Sequence, residues 1–336
     1  MSPERIGVGV VGAGLMGRRH AENAASRIAG ARLVALFDAD TQVASRAAAE
    51  LDTRACASLD ELLERDDVRV LVIASPARFH AEQAVAALVR GKDVLLEKPM
   101  AHTLDDCDRV IAAAKRGQSR VQLGFMRRYD AAYAEAKRLI VSGALGEPLF
   151  FHAVHRDREA THLPASNGVT DMMLESTIHD FDLSRFLLAD EIATVTTTAA
   201  VLCHGRDEHD HAPNAAVNAV RFVRGALADI ETYWGAQYAY DVRTEVVCAN
   251  GTALVGHQQR TRLDVYTKDG ARHDLFPGFL ERFTDAYLAE LADFVDGVRE
   301  RRPPAVTGGD GRAAVAAALA GIASHRSGRA EMTTPS

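Results

Sequence analysis

Cysteine is scarce. Cys56, Cys107, Cys203 and Cys248 are the only four in 336 residues, and none has CxxC or other metal-ligand spacing. That argues against a disulfide framework and predicts a reduced, cytoplasmic chain. Charge of one sign is not concentrated anywhere: 39 Lys and Arg stand against 46 Asp and Glu, a net −7 spread along the chain. Nucleic-acid binders carry a basic patch, and without one no nucleic-acid partner is expected. No apolar run reaches the ~18 residues of a membrane span, and there is no repeat or low-complexity tract. The first strand follows Met1 almost at once, leaving no room for a signal peptide. At roughly 100–200 residues per domain, the length predicts two domains.

What is present alternates. Apolar runs at Ile6–Val11, Arg32–Phe37, Val68–Ala74, Asp93–Glu97 and Arg120–Phe125 are separated by helical patterns at Leu15–Ile28, Thr41–Leu51, Ala81–Arg90 and Thr103–Lys115. Ser58 with Glu61 adds a capping box for a short helix. Strands alternating with helices of this length imply right-handed crossovers and a doubly wound parallel sheet, of the Rossmann kind, over residues 1–125. The pattern then changes. After a helix at Ala131–Val141 and a strand at Leu149–Val154, hairpin signals follow at Arg224-Gly225, Asn250-Gly251 and Lys268-Asp269-Gly270. Closing helices are expected at Phe279–Val298 and Arg312–Ala323. The fold class predicted is therefore α/β, with a C-terminal α+β domain on an open, mainly antiparallel sheet over residues 126–326. Residues 327–336 are expected to be a loose tail.

"VGVVGAGLMGRRHA" sets Gly12, Gly14 and Gly17 between the first strand and the first helix. The first glycine permits the tight turn, the second lets backbone approach a pyrophosphate, and the third allows close helix–strand packing. Phosphates would then meet the helix N-terminus beside Leu15 and Met16. Asp38, ending the second strand, can accept from a ribose 2′-OH and would repel a 2′-phosphate, so NAD is expected over NADP; the bland alternative is a solvated strand-end acid. Ligands bind beyond the carboxyl ends of such strands, which points to Ser75, Pro76 and His80 after the fourth strand and to Glu97 and Lys98 after the fifth. Lys98 is either a surface lysine or a group that touches a substrate hydroxyl. A structural or solvated role suits His80 better than catalysis.

"GAGLMGRRHA", "EKPM", "GFMRRYD" and "IHDFDLSRF", in this order and spacing, resemble the Gfo/Idh/MocA oxidoreductases along nearly the whole chain. Within that family "TDMMLESTIHDFDLSRFLLADEI", "YAYDVRTEVVCANGT" and "ERFTDAYLAEL" are most similar to the inositol 2-dehydrogenases. The resemblance implies a Lys and His pair at the reacting carbon, falling on Lys98 and His179, and a homo-oligomer, dimer or tetramer, joined through the open sheet. The family's inositol members usually have Asp four residues before the histidine, where this chain has Glu175. An extra methylene moves the carboxylate by about a bond length in a site that needs placement within ~0.5 Å.

Residues four apart share a helix face, so Glu175 and His179 are expected as neighbours. A solvated polar face would look alike in sequence; the family pattern favours function. His179 suits the base, because an unperturbed imidazole pKa of ~6.5 lies near working pH. Lys98 would stabilise the developing alkoxide, and Glu175 would orient His179 or bind a second hydroxyl. Candidate polyol contacts are Arg127, Arg156, Asp157, Tyr238 and Tyr240, with Arg127, Asp157 and Tyr240 preferred; the arginines could instead pair with acids and the tyrosines lie in the core. "CHGRDEHDH" (203–211) reads as a polar loop rather than a metal cluster, and no metal is expected. The expected activity is NAD-dependent oxidation of myo-inositol or a stereoisomer to an inosose. A sugar dehydrogenase and a dinucleotide-sensing regulator are the alternatives.

Overall fold

The structure is a computed structural model and describes residues 5–158, 172–202, 213–256 and 259–333. The 203–211 segment lies outside them. Among the described residues two compact units emerge: those up to 129 with 285–315, and those of 130–284 with 316–333.

The first unit is built on β1 (Ile6–Val11), β2 (Ala31–Phe37), β3 (Arg54–Ala55), β4 (Val70–Ile73), β5 (Asp93–Glu97) and β6 (Val121–Gly124). All pairs are parallel, in the order β3-β2-β1-β4-β5-β6. β1, β4 and β5 are almost wholly buried, which is why they read as continuous apolar runs rather than alternating ones. The intervening helices are α1 (Leu15–Glu22), α2 (Thr41–Glu50), α3 (Leu59–Leu63), α4 (His80–Val89) and α5 (Leu104–Gly117). α1 is shorter than its apolar pattern because Asn23–Arg27 forms a π turn. α2, α3 and α5 start on Asp40, Ser58 and Thr103, whose side chains accept from first-turn amides.

The second unit contains α6 (Ala131–Val141), β7 (Pro148–Asp157), α7 (Ile178–Leu188), β8 (Ile192–Ala200), β9 (Ala215–Phe222), β10 (Leu227–Trp234), β11 (Asp241–Cys248) and β12 (Gly251–Val255). A separate ribbon pairs β13 (Gln259–Thr267) with β14 (Gly270–Leu275). The large sheet runs β12-β11-β7-β10-β9-β8 and ends on β15 (Glu331–Met332), antiparallel except for the β7–β10 pair. Its strands alternate buried and exposed positions, as a sheet covered on one face requires.

The carboxyl-terminal residues depart from expectation in three places. The closing helix breaks at Phe283 into α8 (Phe279–Arg282) and α9 (Thr284–Glu300). α9 groups with the first unit: Leu291, Phe294, Val295 and Val298, spaced for one helix face, join the core formed by Val8, Val10, Val70 and Val72. After α10 (Gly308–Ser327), the segment expected to be loose adds a two-residue strand, β15 (Glu331–Met332), antiparallel to β8. Thr333 N–H follows with a 3.0 Å bond to Ala193 O.

Candidate active site

In the first unit the strand order reverses between β1 and β4, and the glycine loop sits at that switch point. Gly12 has φ +87°, and a Cβ there would lie 2.7 Å from Ala74 O. A Cβ on Gly17 would lie 1.7 Å from Gly12 O, so helix and loop touch backbone to backbone. Gly14 differs: among the described residues nothing lies within 4 Å of a Cβ built on it, so its own fold does not demand glycine. It caps α1 without a side-chain bond and precedes exposed Leu15 and half-buried Met16. An open cradle at an uncapped helix start, whose amide groups favour anions, fits a pyrophosphate.

Asp38 is held by two backbone amides: Ala13 N–H donates to Oδ2 at 2.7 Å and Asp40 N–H to Oδ1 at 2.9 Å. The first bond draws the carboxylate to the glycine loop. Ser75 Oγ–H donates to Gln83 Oε1 at 2.5 Å. His80 is 1% exposed, with Nδ1 2.8 Å from Pro99 O and Nε2 2.8 Å from Ser75 O. It therefore ties the loop after β4 to the loop after β5. Lys98, half-buried, stands at the carboxyl end of β5 before a cis Lys98-Pro99 bond.

Glu97 turns inward. Its Oε1 lies 2.8 Å from His20 Nε2 on α1, and its Oε2 accepts from Lys98 N–H at 3.3 Å. His20, Glu97 and Glu290 bring potential metal-ligand atoms within 4.8 Å of one another. Ligands on one tetrahedral ion at about 2.1 Å would stand roughly 3.4 Å apart, so the 2.8 Å His20–Glu97 separation is that of a hydrogen bond. Arg127 is 1% exposed. Burial raises the Cys107 thiol to about 12, so it stays protonated at neutral pH.

In the second unit the segment carrying Glu175 and His179 is no wet helix face. Met173–Thr177 forms a π turn that runs straight into α7. π turns gather at functional sites. Glu175 is half-buried, while His179, Asp180 and Asp182 are 7%, 0% and 1% exposed. Asp180 Oδ2 meets His155 Nδ1 at 2.8 Å, and the His155 ring stands edge-on to Tyr240, centroids 5.9 Å apart. Asp157 lies two residues beyond His155, hence on the same face of β7; its Oδ1 accepts from Arg158 N–H at 2.9 Å. His155 thus links the neighbourhoods of three candidates: Asp157 by strand register, His179 through Asp180, and Tyr240 directly. Arg156 pairs with an acid instead, its fork reaching Glu231 at 2.6 and 3.1 Å, which raises its pKa. Tyr238, half exposed, donates to Asp241 at 2.6 Å.

His20 and His155 escaped the sequence reading. For His155 a signal existed: Phe151, Ala153 and His155 occupy the buried face of β7, and an imidazole in an inward period-two position needs a partner.

Residues 6–125 match the family described as "Oxidoreductase family, NAD-binding Rossmann fold", and residues 133–254 match the "GFO/IDH/MocA C-terminal domain". The chain belongs to the Gfo/Idh/MocA oxidoreductase family. It is 37% identical to inositol 2-dehydrogenase 4 of Saccharopolyspora erythraea, over 98% of this chain and 96% of that protein. It is 30% identical to the scyllo-inositol 2-dehydrogenase (NAD(+)) of Bacillus subtilis, over 95% and 94%. Among solved structures, scyllo-inositol dehydrogenase from Lactobacillus casei, with bound NAD(H) and scyllo-inositol, superposes with a TM-score of 0.91 at 26% identity, covering 98% of this chain and 99% of that one.

Proposed function

We propose that this protein is an NAD-dependent dehydrogenase that oxidises one secondary alcohol of myo-inositol or a stereoisomer to the inosose. The observation that carries the reading is the 37% identity to an inositol 2-dehydrogenase over 98% of the chain. Bound NAD supplies the hydride acceptor at nicotinamide C4. The glycine loop would seat the pyrophosphate, and Asp38 would accept from the adenosine ribose. An alcohol is a poor hydride donor until it approaches alkoxide, so His179 takes the hydroxyl proton at its imidazole. Lys98 stabilises the charge growing on that oxygen. Glu175 orients His179 or binds a second hydroxyl, and Arg127, Asp157 and Tyr240 contact the remaining ones. Ser75, Pro76, His80 and Glu97 shape the nicotinamide side, His80 by tying two loops together.

The test is NADH formation, followed by absorbance, across inositol stereoisomers and aldoses. Turnover of at least one inositol is expected. Turnover of an aldose with no inositol accepted would replace the reading with a sugar dehydrogenase, to which Glu175 lends some support. No NADH with any polyol would leave a dinucleotide-sensing regulator. No helix among the described residues is long and apolar enough to cross a membrane. A homo-oligomer, dimer or tetramer, joined through the exposed sheet face is part of the same proposal; Val217 on that face is 55% exposed. A single monomer mass in light scattering would refute it.

A further inference from the structure

The segment from Met173 to Asp180 is held by side chains from two strands of the second unit. From β10, Trp234 Nε1–H donates to Ser176 Oγ at 2.8 Å, and the Thr177 and Thr232 hydroxyls share a bond at 2.9 Å. From β7, His155 Nδ1 meets Asp180 Oδ2 at 2.8 Å, with His155 at 2% exposure and Asp180 at 0%. A buried carboxylate that loses a hydrogen bond loses part of what offsets its desolvation, so this pair resists rotation of the first turn of α7. His179 shares that turn as the preceding residue. The same imidazole stands edge-on to Tyr240, which packs in turn on Phe279 and Phe283.

We propose that His155 is a positioning residue for the polyol oxidation. Its bond to Asp180 sets where His179 lies, and its edge sets the Tyr240 ring. The proposal rests on the function proposed above. His155 moves no proton to or from substrate; it acts on the rate through placement, where an error of about 1 Å costs on the order of 100-fold. A residue that merely filled the core would be replaceable by any side chain of similar volume.

Two variants separate these roles. His155→Leu fills the space without a donor, and His155→Asn restores an amide N–H where Nδ1 stood. H155L should lower kcat with myo-inositol by about 10–100-fold, leave the KM for NAD unchanged, and enlarge the kinetic isotope effect with carbinol-deuterated substrate. H155N should recover most of the loss. Trp234 is the only tryptophan in the chain, and its bond to Ser176 makes its emission a reporter of the segment that needs no polyol. The emission should shift in H155L and not in H155N. Should H155L fail to fold, His155→Phe keeps a ring against Tyr240 and removes the bond to Asp180, with the same loss expected. Equal kcat in the donor-free and donor-restored variants, or emission that shifts in both or neither, overturns the proposal. Wild-type protein inert toward every inositol would instead sink the proposed function, with the emission comparison still deciding on His155.

Discussion

The glycine loop of the first unit and the α7 segment of the second place chemistry in opposite ways. At the loop the backbone does the placing. Gly12 and Gly17 are demanded by approaches of 2.7 and 1.7 Å, Gly14 is left open, and Asp38 is steered by two amides. At α7 side chains do the placing: His155 on Asp180, Trp234 on Ser176, Thr232 on Thr177. A backbone cradle tolerates many side chains around it but no Cβ at two positions. A side-chain cradle tolerates isosteres and fails when a donor goes missing. Dinucleotide binding and alcohol chemistry should therefore break separately.

The contrast yields predictions of decreasing size. Gly17→Ala forces a methyl against Gly12 O and should destabilise the first unit by about 3 kcal/mol or more; thermal denaturation and loss of NAD binding in calorimetry would both register it. Unaltered NAD affinity in that variant would refute the backbone account of the loop. His179→Ala should lower turnover by about 100-fold or more while NAD binding persists. Steady-state rates set beside NAD titration check this, and undiminished turnover would remove His179 from the role of base. Asp38→Ser combined with Ala39→Arg should move cofactor preference toward NADP, because the carboxylate that repels a 2′-phosphate is gone and a cation is supplied; the ratio of kcat/KM for the two cofactors reports it.

A smaller effect concerns Asp310 at the start of α10. Burial pushes its carboxyl up, but the Arg128 charge and the bonds from Thr307 outweigh that, and its pKa is lowered. A folded pKa below the unfolded value of ~3.9 adds stability above that pH, and the contribution is lost as pH falls through the folded pKa. Asp310→Asn should therefore be less stable than wild type in urea at pH 7, with the gap closing below about pH 4. A gap that persists in acid would point to packing instead. Smallest of all, Cys107 should resist thiol reagents at neutral pH, since burial keeps it protonated.

Much of this was legible in residue order alone. Glycines at fixed offsets, an acid ending β2 and apolar runs of period two or 3.6 are local facts, and local sterics turn them into a Rossmann sheet and its cradle. Lys98, Glu175 and His179 were singled out by the family likeness rather than by local pattern. The boundaries were less legible. α9 carries an ordinary amphipathic pattern, and nothing local says that its apolar face completes the core of the first unit rather than the second. Glu331 and Met332 look like a tail because a two-residue strand has no pattern; only the free edge of β8 gives it a partner.

Sequence by itself thus determined the class of fold and the glycine cradle, because each depends on neighbours in the chain; the pair of residues proposed for the chemistry came from the family likeness. Tertiary structure alone decided that His179, Asp180 and Asp182 are buried, that Glu97 turns to His20, and that His155 reaches Asp180. Those contacts join residues 25 and 77 positions apart. A buried polar group must find a partner in space, and no spacing along the chain says which one it will be.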